Sequence, residues 1–350
     1  MSSPCDADLF GTGLGEITKA VAPTESGTQS RPFKPHMDLS IICVNWNSLG
    51  YLRECIVSIY EYTHGISFEV IVVDNASSEV GVETLKDFFP NISIVQSSEN
   101  LGFSRANNLG FAHSSGRYVL FLNPDTQLIS PAINILLGSL QSLPDAGVLG
   151  AKLLNSDLTI QTSCIQKFPG ILNQILEIEY LRLRWPECPL WGIAPLFSND
   201  EKPIRVEVIS GACMMLKREV FEQVGMFSDE YFMYADDLDL CYKVERAGWT
   251  NYYVGGAVVI HHGGKSTSQR TANQWATIMK FKSIIQFCTK TRGRAYGLLY
   301  RAAMGCAALG RLTILGLMYP LGSIVWNKET LQAASSKWSA VLKCAVGLQG

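Results

Sequence analysis

From residue 39 onward, short apolar runs rich in β-branched residues alternate with stretches whose apolar residues recur at helical spacing. The strand-like runs cover 39–46, 68–74, 92–96 and 117–123. The helix-like stretches between them cover 49–62, 79–88 and 103–113. Strands that are apolar almost throughout are typical of sheets buried on both faces. The alternation therefore predicts an α/β fold with a mostly parallel sheet, flanked by helices and joined by right-handed crossovers.

The second half of the chain is less regular. Helical patterns cover 130–141, 218–224, 237–247 and 269–290, and strand-like runs cover 148–154, 208–216, 250–254 and 257–262. Residues 155–203 contain several Pro and Trp residues and no clear period. We interpret 155–203 as a long insertion over the sheet that contributes to a binding site.

The two ends of the chain differ in composition from the middle. Residues 1–36 are rich in Ser, Thr, Gly and Pro and lack a charged stretch followed by an apolar one. We therefore expect an N-terminal tail without a secretory signal. The pattern divides the remainder into a sheet domain at 37–266 and a helical extension at 267–350.

Residues 295–326 in that extension are unusually apolar but include Arg301 and Arg311. A membrane-spanning helix needs about 20 residues with few charges. The longest uncharged run, 312–326, is shorter and contains Pro320. We favour an amphipathic segment at a membrane interface, with a packed core helix and a true span as open alternatives.

Composition excludes some classes of function. The formal net charge is -2, so no overall basic field favours a nucleic-acid partner. None of the 10 cysteines forms a C-x-x-C pair. Zinc sites and a disulfide framework are therefore poorly supported, and reduced, mostly buried thiols in a cytosolic protein are expected.

Polar residues follow several of the predicted strands. Asn45, Asp74 and the segment Asn123-Pro124-Asp125 all stand at strand ends, and ligands of parallel sheets bind beyond the carboxyl ends of strands. Pro124 cannot donate to a sheet, so it ends the strand and leaves Asp125 on the rim. A carboxylate there can bind Mg²⁺ or Mn²⁺ that bridges two phosphates, although N-P-D alone is a common turn.

A second acidic cluster, Asp236-Asp237-Leu238-Asp239, begins a predicted helix. Capping of the helix dipole explains one or two of these acids. Repulsion between close carboxylates can also raise one pKa towards neutrality and produce a general base. Both interpretations remain open on the residues alone.

Two further segments carry polar groups suited to binding. His261 follows an apolar strand and can ligate a metal, although a histidine at a strand end is often structural. The nearby G-K-S at 264–266 lacks the upstream glycine of a phosphate-binding loop, because Val259 occupies that position. In 100–108, Gly102 permits close backbone approach, and Arg105 and Asn107 would lie near the start of a helix.

In their order along the chain, these segments resemble family 2 glycosyltransferases of the GT-A fold, especially the bacterial rhamnosyltransferase-like branch. The resemblance covers roughly 38–266. The matching stretches are S-I-I-C-V-N-W-N, V-I-V-V-D-N-A-S, N-L-G-F-S-R-A-N-N, L-F-L-N-P-D, G-A-C-M-M-L-K-R, F-M-Y-A-D-D-L-D-L-C and V-V-I-H-H-G-G-K-S. It implies a Rossmann-like nucleotide-binding sheet with a helical C-terminal extension.

The resemblance also implies roles for particular residues. Asp125 resembles the metal-binding acid of the family's D-x-D motif, and Asn123 replaces the first acid of that motif. His261 fits the second ligand to Mg²⁺ or Mn²⁺, because H-x-x-G-x-S matches His261, Gly264 and Ser266. Asp237 resembles the catalytic base and Asp236 its neighbour, and either could be the acting acid. The residues expected to bind a nucleotide sugar are Asn45, Asp74, Asn100, Gly102, Arg105, Asn107 and Asn123, with Asp74 at the nucleobase.

The implied activity is inverting, metal-dependent transfer of a sugar from a nucleotide-diphosphate donor to a glycan or lipid-linked glycan. The donor would be dTDP-rhamnose or a UDP-sugar. We expect a cytoplasmic protein that contacts the inner face of the plasma membrane peripherally. The alternatives are a nucleotidyltransferase, disfavoured because the loop after the first strand is not glycine-rich and basic, and a non-catalytic sugar-nucleotide-binding or scaffold protein.

Overall fold

The computed structural model describes residues 37–89, 92–198, 200–263, 270–325 and 328–348. The predicted tail at 1–36 and the segment Gly264-Lys265-Ser266 lie outside these ranges. The strands are β1 Leu39–Asn45, β2 Phe68–Asn75, β3 Ile92–Ser97, β4 Tyr118–Leu122, β5 Thr126–Leu128, β6 Ala146–Leu154, β7 Ile165–Gln166, β8 Pro203–Arg205, β9 Val208–Ile209, β10 Cys213–Lys217 and β11 Thr250–His261.

The helices flank the main sheet and form the extension. They are α1 Leu49–Tyr62, α2 Leu85–Phe88, α3 Gly102–Ala112, α4 Ala132–Ser142, α5 Ile171–Ile175, α6 Glu179–Arg184, α7 Arg218–Gln223, α8 Asp236–Arg246, α9 Arg270–Arg292, α10 Arg294–Val325 and α11 Lys328–Ala345. Short 3-10 helices cover Val82–Thr84 and Ala194–Phe197. The helix predicted over 79–88 is therefore shorter than its pattern indicated.

The main sheet has the order β3-β2-β1-β4-β10-β6-β11-β5, and β8 pairs with β11. The first half is parallel, as predicted, because β2 and β4 both run parallel to β1 and β3 runs parallel to β2. In the second half, β10 runs antiparallel to both β4 and β6, whereas β6 and β11 are parallel. This arrangement places the end of β4 beside the residues that precede β10.

The two strands predicted over 250–262 form the single strand β11. Its register with β6 shifts between Val254 and Val258, where Gly255 and Gly256 interrupt the apolar pattern. A bulge at these glycines bends the strand without ending it. The end of β11 then pairs antiparallel with β5, and His261 lies opposite Thr126.

The extension is helical over its described residues and packs in the same compact unit as the sheet. Helix α9 contacts the loop before α8, and α10 contacts the insertion through α5. By length and composition alone, Arg294–Leu317 could cross a membrane, and 17% of that window is buried. The helix continues through Pro320 to Val325.

Candidate active site

A cavity of about 440 Å³ lies at the carboxyl ends of β1, β2 and β4. It collects residues from segments far apart in the chain. The predicted site residues that line it are Asn100, Gly102, Asn107, Asn123, Asp125, Asp236, Asp237 and His261. Of the strand-end residues predicted to form the rim, Asn123 and Asp125 therefore line the cavity, and both acidic clusters face it.

Antiparallel pairing of β5 with β11 places His261 beside the N-P-D turn. His261 Nε2 lies 3.3 Å from Asp125 Oδ1, and both side chains are largely buried. The same Nε2 atom lies 3.3 Å from Asn123 Nδ2. The turn is tightened by a 2.7 Å hydrogen bond from Thr126 Oγ1 to the carbonyl of Asn123.

The orientation of His261 is fixed by Gln161 from the insertion. Gln161 Nε2 donates to Asn155 Oδ1 at 3.0 Å, so Gln161 Oε1 is the atom that meets His261 Nδ1 at 2.7 Å. An amide oxygen can only accept, so Nδ1 carries the proton and Nε2 keeps its lone pair in the neutral ring. A hydrogen-bond acceptor on the other ring nitrogen orients metal-ligating histidines in this way in many proteins.

The pair of Asp125 and His261 suits a divalent cation. A nitrogen lone pair and a carboxylate oxygen at 3.3 Å repel each other unless a proton or a cation lies between them. Within the described ranges, no third His, Cys, Asp or Glu joins the two side chains. Mg²⁺ commonly takes only one or two protein carboxylates, with substrate phosphates and water completing its shell. The donor set is therefore compatible with Mg²⁺ or Mn²⁺ held jointly with a diphosphate.

The acidic cluster begins helix α8 after a strained turn. Tyr234 and Ala235 have φ values of 67° and 61°, which non-glycine residues seldom adopt. Strained backbone of this kind costs about 1–3 kcal/mol per residue and is concentrated at functional sites. The turn brings Asp236 and Asp237 into the cavity wall.

The two acids experience different surroundings. Burial, and next the charge of Asp237, raise the pKa of Asp236 to about 8. Burial also raises the pKa of Asp237, but backbone N–H donors and the Lys280 ammonium oppose that rise. Asp237 Oδ2 accepts from the Gly211 N–H at 3.3 Å, and Oδ1 accepts from the Leu238 N–H at 2.8 Å. At neutral pH, Asp236 is therefore the acid of this pair that keeps its proton, and Asp237 is the one that is more readily ionised.

The third acid of the cluster, Asp239, is buried and does not line the cavity. It accepts a 2.6 Å hydrogen bond from Ser228 Oγ and pairs with Lys290 at 3.0 Å and Lys243 at 3.4 Å. These contacts connect the first turn of α8 to the loop before it and to α9. Asp239 does not cap α8, whose N-cap residue is Ala235, so its contacts agree with a structural role and not with capping.

Position 102 must be a glycine because the start of α3 lies in close contact with the loop that precedes α8. The φ of Gly102 is +75°, and an added Cβ would lie 2.1 Å from the carbonyl oxygen of Phe232. The N–H of Phe103 donates to the same carbonyl at 2.8 Å. Gly102 and the start of α3 therefore hold the strained turn that carries the acids, as well as lining the cavity.

Asn100 and Asn107 line the cavity, and each has a defined partner. Asn75 Nδ2 donates to Asn100 Oδ1 at 3.0 Å, and Asn107 Nδ2 donates to the Phe103 carbonyl at 3.0 Å. Asn75 also reaches the cavity, although the sequence analysis did not single it out. Its position directly after Asp74 was the available signal.

Three predicted binding residues lie elsewhere. Asn45 and Asp74 face each other in register and share a buried 3.1 Å hydrogen bond. Their neighbours Val44 and Asn75 line the cavity instead, because successive strand residues point to opposite faces. Arg105 pairs with Glu99 at 3.1 Å on the exposed surface. A role for these three in donor binding stays a prediction, and the structure shows no direct access of their side chains to the cavity.

Helix α9 contributes to the site from outside the region of sequence resemblance. Lys280 lines the cavity. Ser283 Oγ donates to the Met233 carbonyl at 3.0 Å, and Lys290 pairs with Asp239. The bond between Ser283 and Met233 joins positions 50 residues apart. No local sequence pattern indicates such a pairing, so sequence reasoning missed α9 as the support for the acidic loop.

The chain matches the model of glycosyl transferase family 2 over residues 40–225. It is 30% identical over 252 residues to the N-acetylglucosaminyl-diphospho-decaprenol L-rhamnosyltransferase of Mycobacterium tuberculosis, covering 68% of this chain and 80% of that protein. It is 24% identical to the rhamnosyltransferase WbbL of Escherichia coli, covering 56% of this chain and 73% of that protein. These matches confirm the predicted resemblance, including its rhamnosyltransferase-like character.

Among solved structures, the chain resembles a mannosyltransferase from Pyrobaculum calidifontis in complex with GDP-Man and Mn²⁺. The TM-score is 0.55 at 19% identity, covering 91% of this chain and 90% of that chain. At this identity the likeness concerns the fold. It confirms the predicted GT-A architecture with its helical C-terminal extension.

Proposed function

The chain belongs to glycosyltransferase family 2, and we propose that it is an inverting, metal-dependent enzyme that uses a nucleotide-diphosphate sugar. The acceptor would be a hydroxyl of a glycan or lipid-linked glycan in cell-surface polysaccharide synthesis. The observation that carries this proposal is the shared cavity: Asp237 lines the same space as Asp125 and His261. The proposed proton acceptor, Asp237, and the proposed cation-binding pair therefore line one cavity, where both could act on the same bound substrate.

Asp237 is proposed as the general base. A base must be ionised and open to the acceptor hydroxyl. Asp237 is half-buried, whereas Asp236 is buried, and two backbone N–H groups stabilise the Asp237 carboxylate. Asp236, whose pKa is raised to about 8, would retain the proton of the pair at neutral pH. Deprotonation of the acceptor by Asp237 leaves the oxygen to attack the anomeric carbon from the face opposite the nucleotide, which inverts its configuration.

Asp125 and His261 are the residues proposed to hold Mg²⁺ or Mn²⁺. The bound cation would neutralise charge on the leaving diphosphate. Gln161 keeps the His261 lone pair directed towards Asp125, and Asn123 places an amide beside the same nitrogen. These contacts position the pair before any ligand arrives, so little reorganisation is needed on binding.

The donor is proposed to carry L-rhamnose, most simply as dTDP-rhamnose, with UDP-sugars as the second candidate. The L-rhamnosyltransferase of M. tuberculosis, of which the chain covers 80%, supports the first. Asn75, Asn100 and Asn107 line the cavity near Gly102 and offer amide groups that can hydrogen-bond to a sugar or nucleobase.

A panel of sugar nucleotides tests the proposed function directly. In thermal-shift measurements with Mn²⁺ or Mg²⁺, we expect at least one of dTDP-rhamnose, UDP-glucose and UDP-N-acetylglucosamine to raise the unfolding temperature, since a ligand stabilises the state it binds. EDTA should remove the shift. Transfer to an acceptor should then give the opposite anomeric configuration by NMR. Retention of configuration, or the absence of any metal-dependent shift, would contradict the proposal.

We further propose that the extension contacts an anionic membrane surface peripherally, on the cytoplasmic side. Residues 267–350 contain 11 Lys and Arg against 1 acid, whereas 1–266 contain 18 against 30. Helix α10 also exposes an apolar stripe at helical spacing, with Leu298, Leu309 and Leu317 at 65%, 57% and 75% exposure. A basic segment with an exposed apolar helix face suits the boundary of an anionic bilayer.

Vesicle flotation tests this contact. We expect the full chain to float with vesicles that contain phosphatidylglycerol and to float less with pure phosphatidylcholine, because basic residues gain about 1 kcal/mol each near an anionic surface. The triple substitution Leu298→Ser, Leu309→Ser, Leu317→Ser should abolish flotation. The matched control Val80→Ser, Phe88→Ser, Leu158→Ser changes exposed apolar residues outside the extension and should float normally. Equal flotation of both triple variants would refute a role for α10.

A further inference from the structure

A second cavity, with a volume of about 860 Å³, lies between the insertion and helices α9, α10 and α11. It shares a wall with the active-site cavity, since Gln174, Glu177, Tyr234, Lys280 and Ile284 line both. Tyr234 belongs to the strained turn before α8, and the charge of Lys280 acts on Asp237. A ligand in the second cavity would therefore approach the base from the side of the extension.

Charged side chains of both signs line this cavity: Glu177, Glu179, Lys280 and Lys337. Glu177 lies 3.9 Å from Lys280 Nζ and 3.8 Å from Arg182 Nη1. Lys337 lines the same cavity, and no carboxylate of the described chain lies within ion-pair distance of its ammonium. Burial and then the charge of Lys280 lower the pKa of Lys337, Glu177 opposes that change, and Arg311 adds a smaller lowering effect. Glu177 thus has two cationic partners and Glu179 accepts a hydrogen bond from Thr162 Oγ1 at 2.8 Å, so Lys337 is the ammonium most available to an anionic ligand.

Arg311 and Lys337 are both held against Trp338. The Arg311 guanidinium lies 3.9 Å from the centre of the Trp338 ring, and the Lys337 ammonium lies 5.2 Å from it. The Nη1 atom of Arg311 is buried without a hydrogen-bond partner. Lys337 is exposed to solvent and Arg311 is half-buried, so the Lys337 ammonium is hydrated in the free protein and open to an anionic ligand, which the neighbouring guanidinium would also attract.

We propose that the second cavity is the acceptor subsite, and that Lys280 and Lys337 bind a phosphate group carried by the acceptor. This inference rests on the proposed function, because it assumes that the acceptor hydroxyl reaches Asp237. Lys280 lies at the shared wall and Lys337 farther into the second cavity. A phosphate next to the acceptor sugar would therefore meet both ammonium groups while the sugar faces the base. The donor diphosphate binds separately, beside Asp125 and His261.

A cavity of this size can hold a sugar together with a phosphate or diphosphate. Besides the lysines, Gln174 and Gln274 line it, and their amides can hydrogen-bond to sugar hydroxyls. Two sources supply the same chemistry: a free sugar phosphate, or a sugar attached to a lipid through phosphate.

The test uses the full-length protein and binding measured by calorimetry in EDTA, which suppresses the metal-dependent donor site. The probes are inorganic pyrophosphate and hexyl diphosphate. Lys337→Gln should weaken binding of hexyl diphosphate about tenfold, through loss of a charge-assisted contact. The double change Lys280→Gln, Lys337→Gln should weaken it further. Lys282→Gln and Lys343→Gln are matched controls on α9 and α11 that line neither cavity, and both should bind normally.

Binding of the nucleoside diphosphate with Mn²⁺ is measured in parallel. If it persists in Lys337→Gln while hexyl diphosphate binding falls, the lysine acts on the acceptor side as proposed. Tighter binding of hexyl diphosphate than of pyrophosphate supports a lipid-linked acceptor, and equal binding supports a free sugar phosphate. The proposal is overturned if Lys337→Gln binds hexyl diphosphate like the Lys343→Gln control, or if the variant loses nucleoside diphosphate binding to the same extent. Failure of every sugar nucleotide to bind would instead count against the proposed function, and the calorimetric result would still stand.

Discussion

Substitution of Asp237 by Asn is expected to lower the turnover number by about 10²–10⁴-fold, the usual contribution of a general base. The amide keeps the shape of the carboxylate and can keep accepting from the Gly211 N–H, but it cannot take a proton. The unfolding-temperature shift caused by donor and Mn²⁺ should persist, since Asp125 and His261 are untouched. Initial rates and thermal shifts measured on the same preparation separate the two effects.

The neighbouring substitution Asp236→Asn serves as the comparison. Asp236 has a pKa raised to about 8 by burial and by the charge of Asp237, so it is mostly protonated at neutral pH. A neutral amide resembles a protonated carboxyl, and Asp236→Asn should therefore retain most activity there. A base must be deprotonated, so the wild-type rate should fall as pH decreases through the pKa of Asp237. If Asp236→Asn lost activity and Asp237→Asn kept it, the base would be Asp236.

The sequence alone predicted the rim of the site because that rim depends on local features. Residues at the carboxyl ends of parallel strands must meet at one edge of the sheet, and Asn123 and Asp125 do so. The acids at 236 and 237 follow from helix-start chemistry and the family resemblance. These features need only the identity of each strand and helix, which the hydrophobic pattern supplies.

The sequence did not determine which side chains point into the cavity, because side-chain direction is not fixed by position in a strand or helix alone. Asn45 and Asp74 stand at strand ends, but a one-residue change along a strand reverses the face, and their neighbours Val44 and Asn75 reach the cavity instead. Arg105 could have faced the rim from the start of α3, yet it pairs with Glu99 on the surface. The first turn of a helix does not decide which way a long side chain extends.

Long-range packing accounts for the remaining differences. The proximity of His261 to Asp125 requires the antiparallel pairing of β5 with β11, and this pairing depends on β11 running through its bulge as one strand. Lys280 and Ser283 reach the site only because α9 packs back onto the loop before α8. The inner face of the extension therefore supports the acids, and its outer face carries the exposed apolar residues that we propose contact a membrane.

Substitution of Asp125 by Asn is expected to weaken Mn²⁺ binding by more than the roughly 10–100-fold that loss of an outer-shell partner causes. The amide removes the anionic ligand and leaves only the neutral His261 imidazole. Gln161→Leu provides the graded comparison: it removes the acceptor for His261 Nδ1–H without removing a ligand, so its effect should fall within that range. Asp87→Asn, on the exposed face of α2, is the matched control and should bind as the wild type does.

Mn²⁺ binding in the presence of nucleoside diphosphate, followed by electron paramagnetic resonance, gives a readout that does not depend on catalysis. We expect affinity to decrease in the order wild type, Gln161→Leu, Asp125→Asn. This order follows from the geometry, since the carboxylate supplies charge and Gln161 supplies only orientation. Wild-type affinity in Asp125→Asn would show that the cation binds elsewhere. The 3.3 Å contact between Asp125 and His261 would then indicate an ion pair with a protonated imidazole. The leaving diphosphate would need another source of positive charge, and Arg182 and Lys280 line the same cavity.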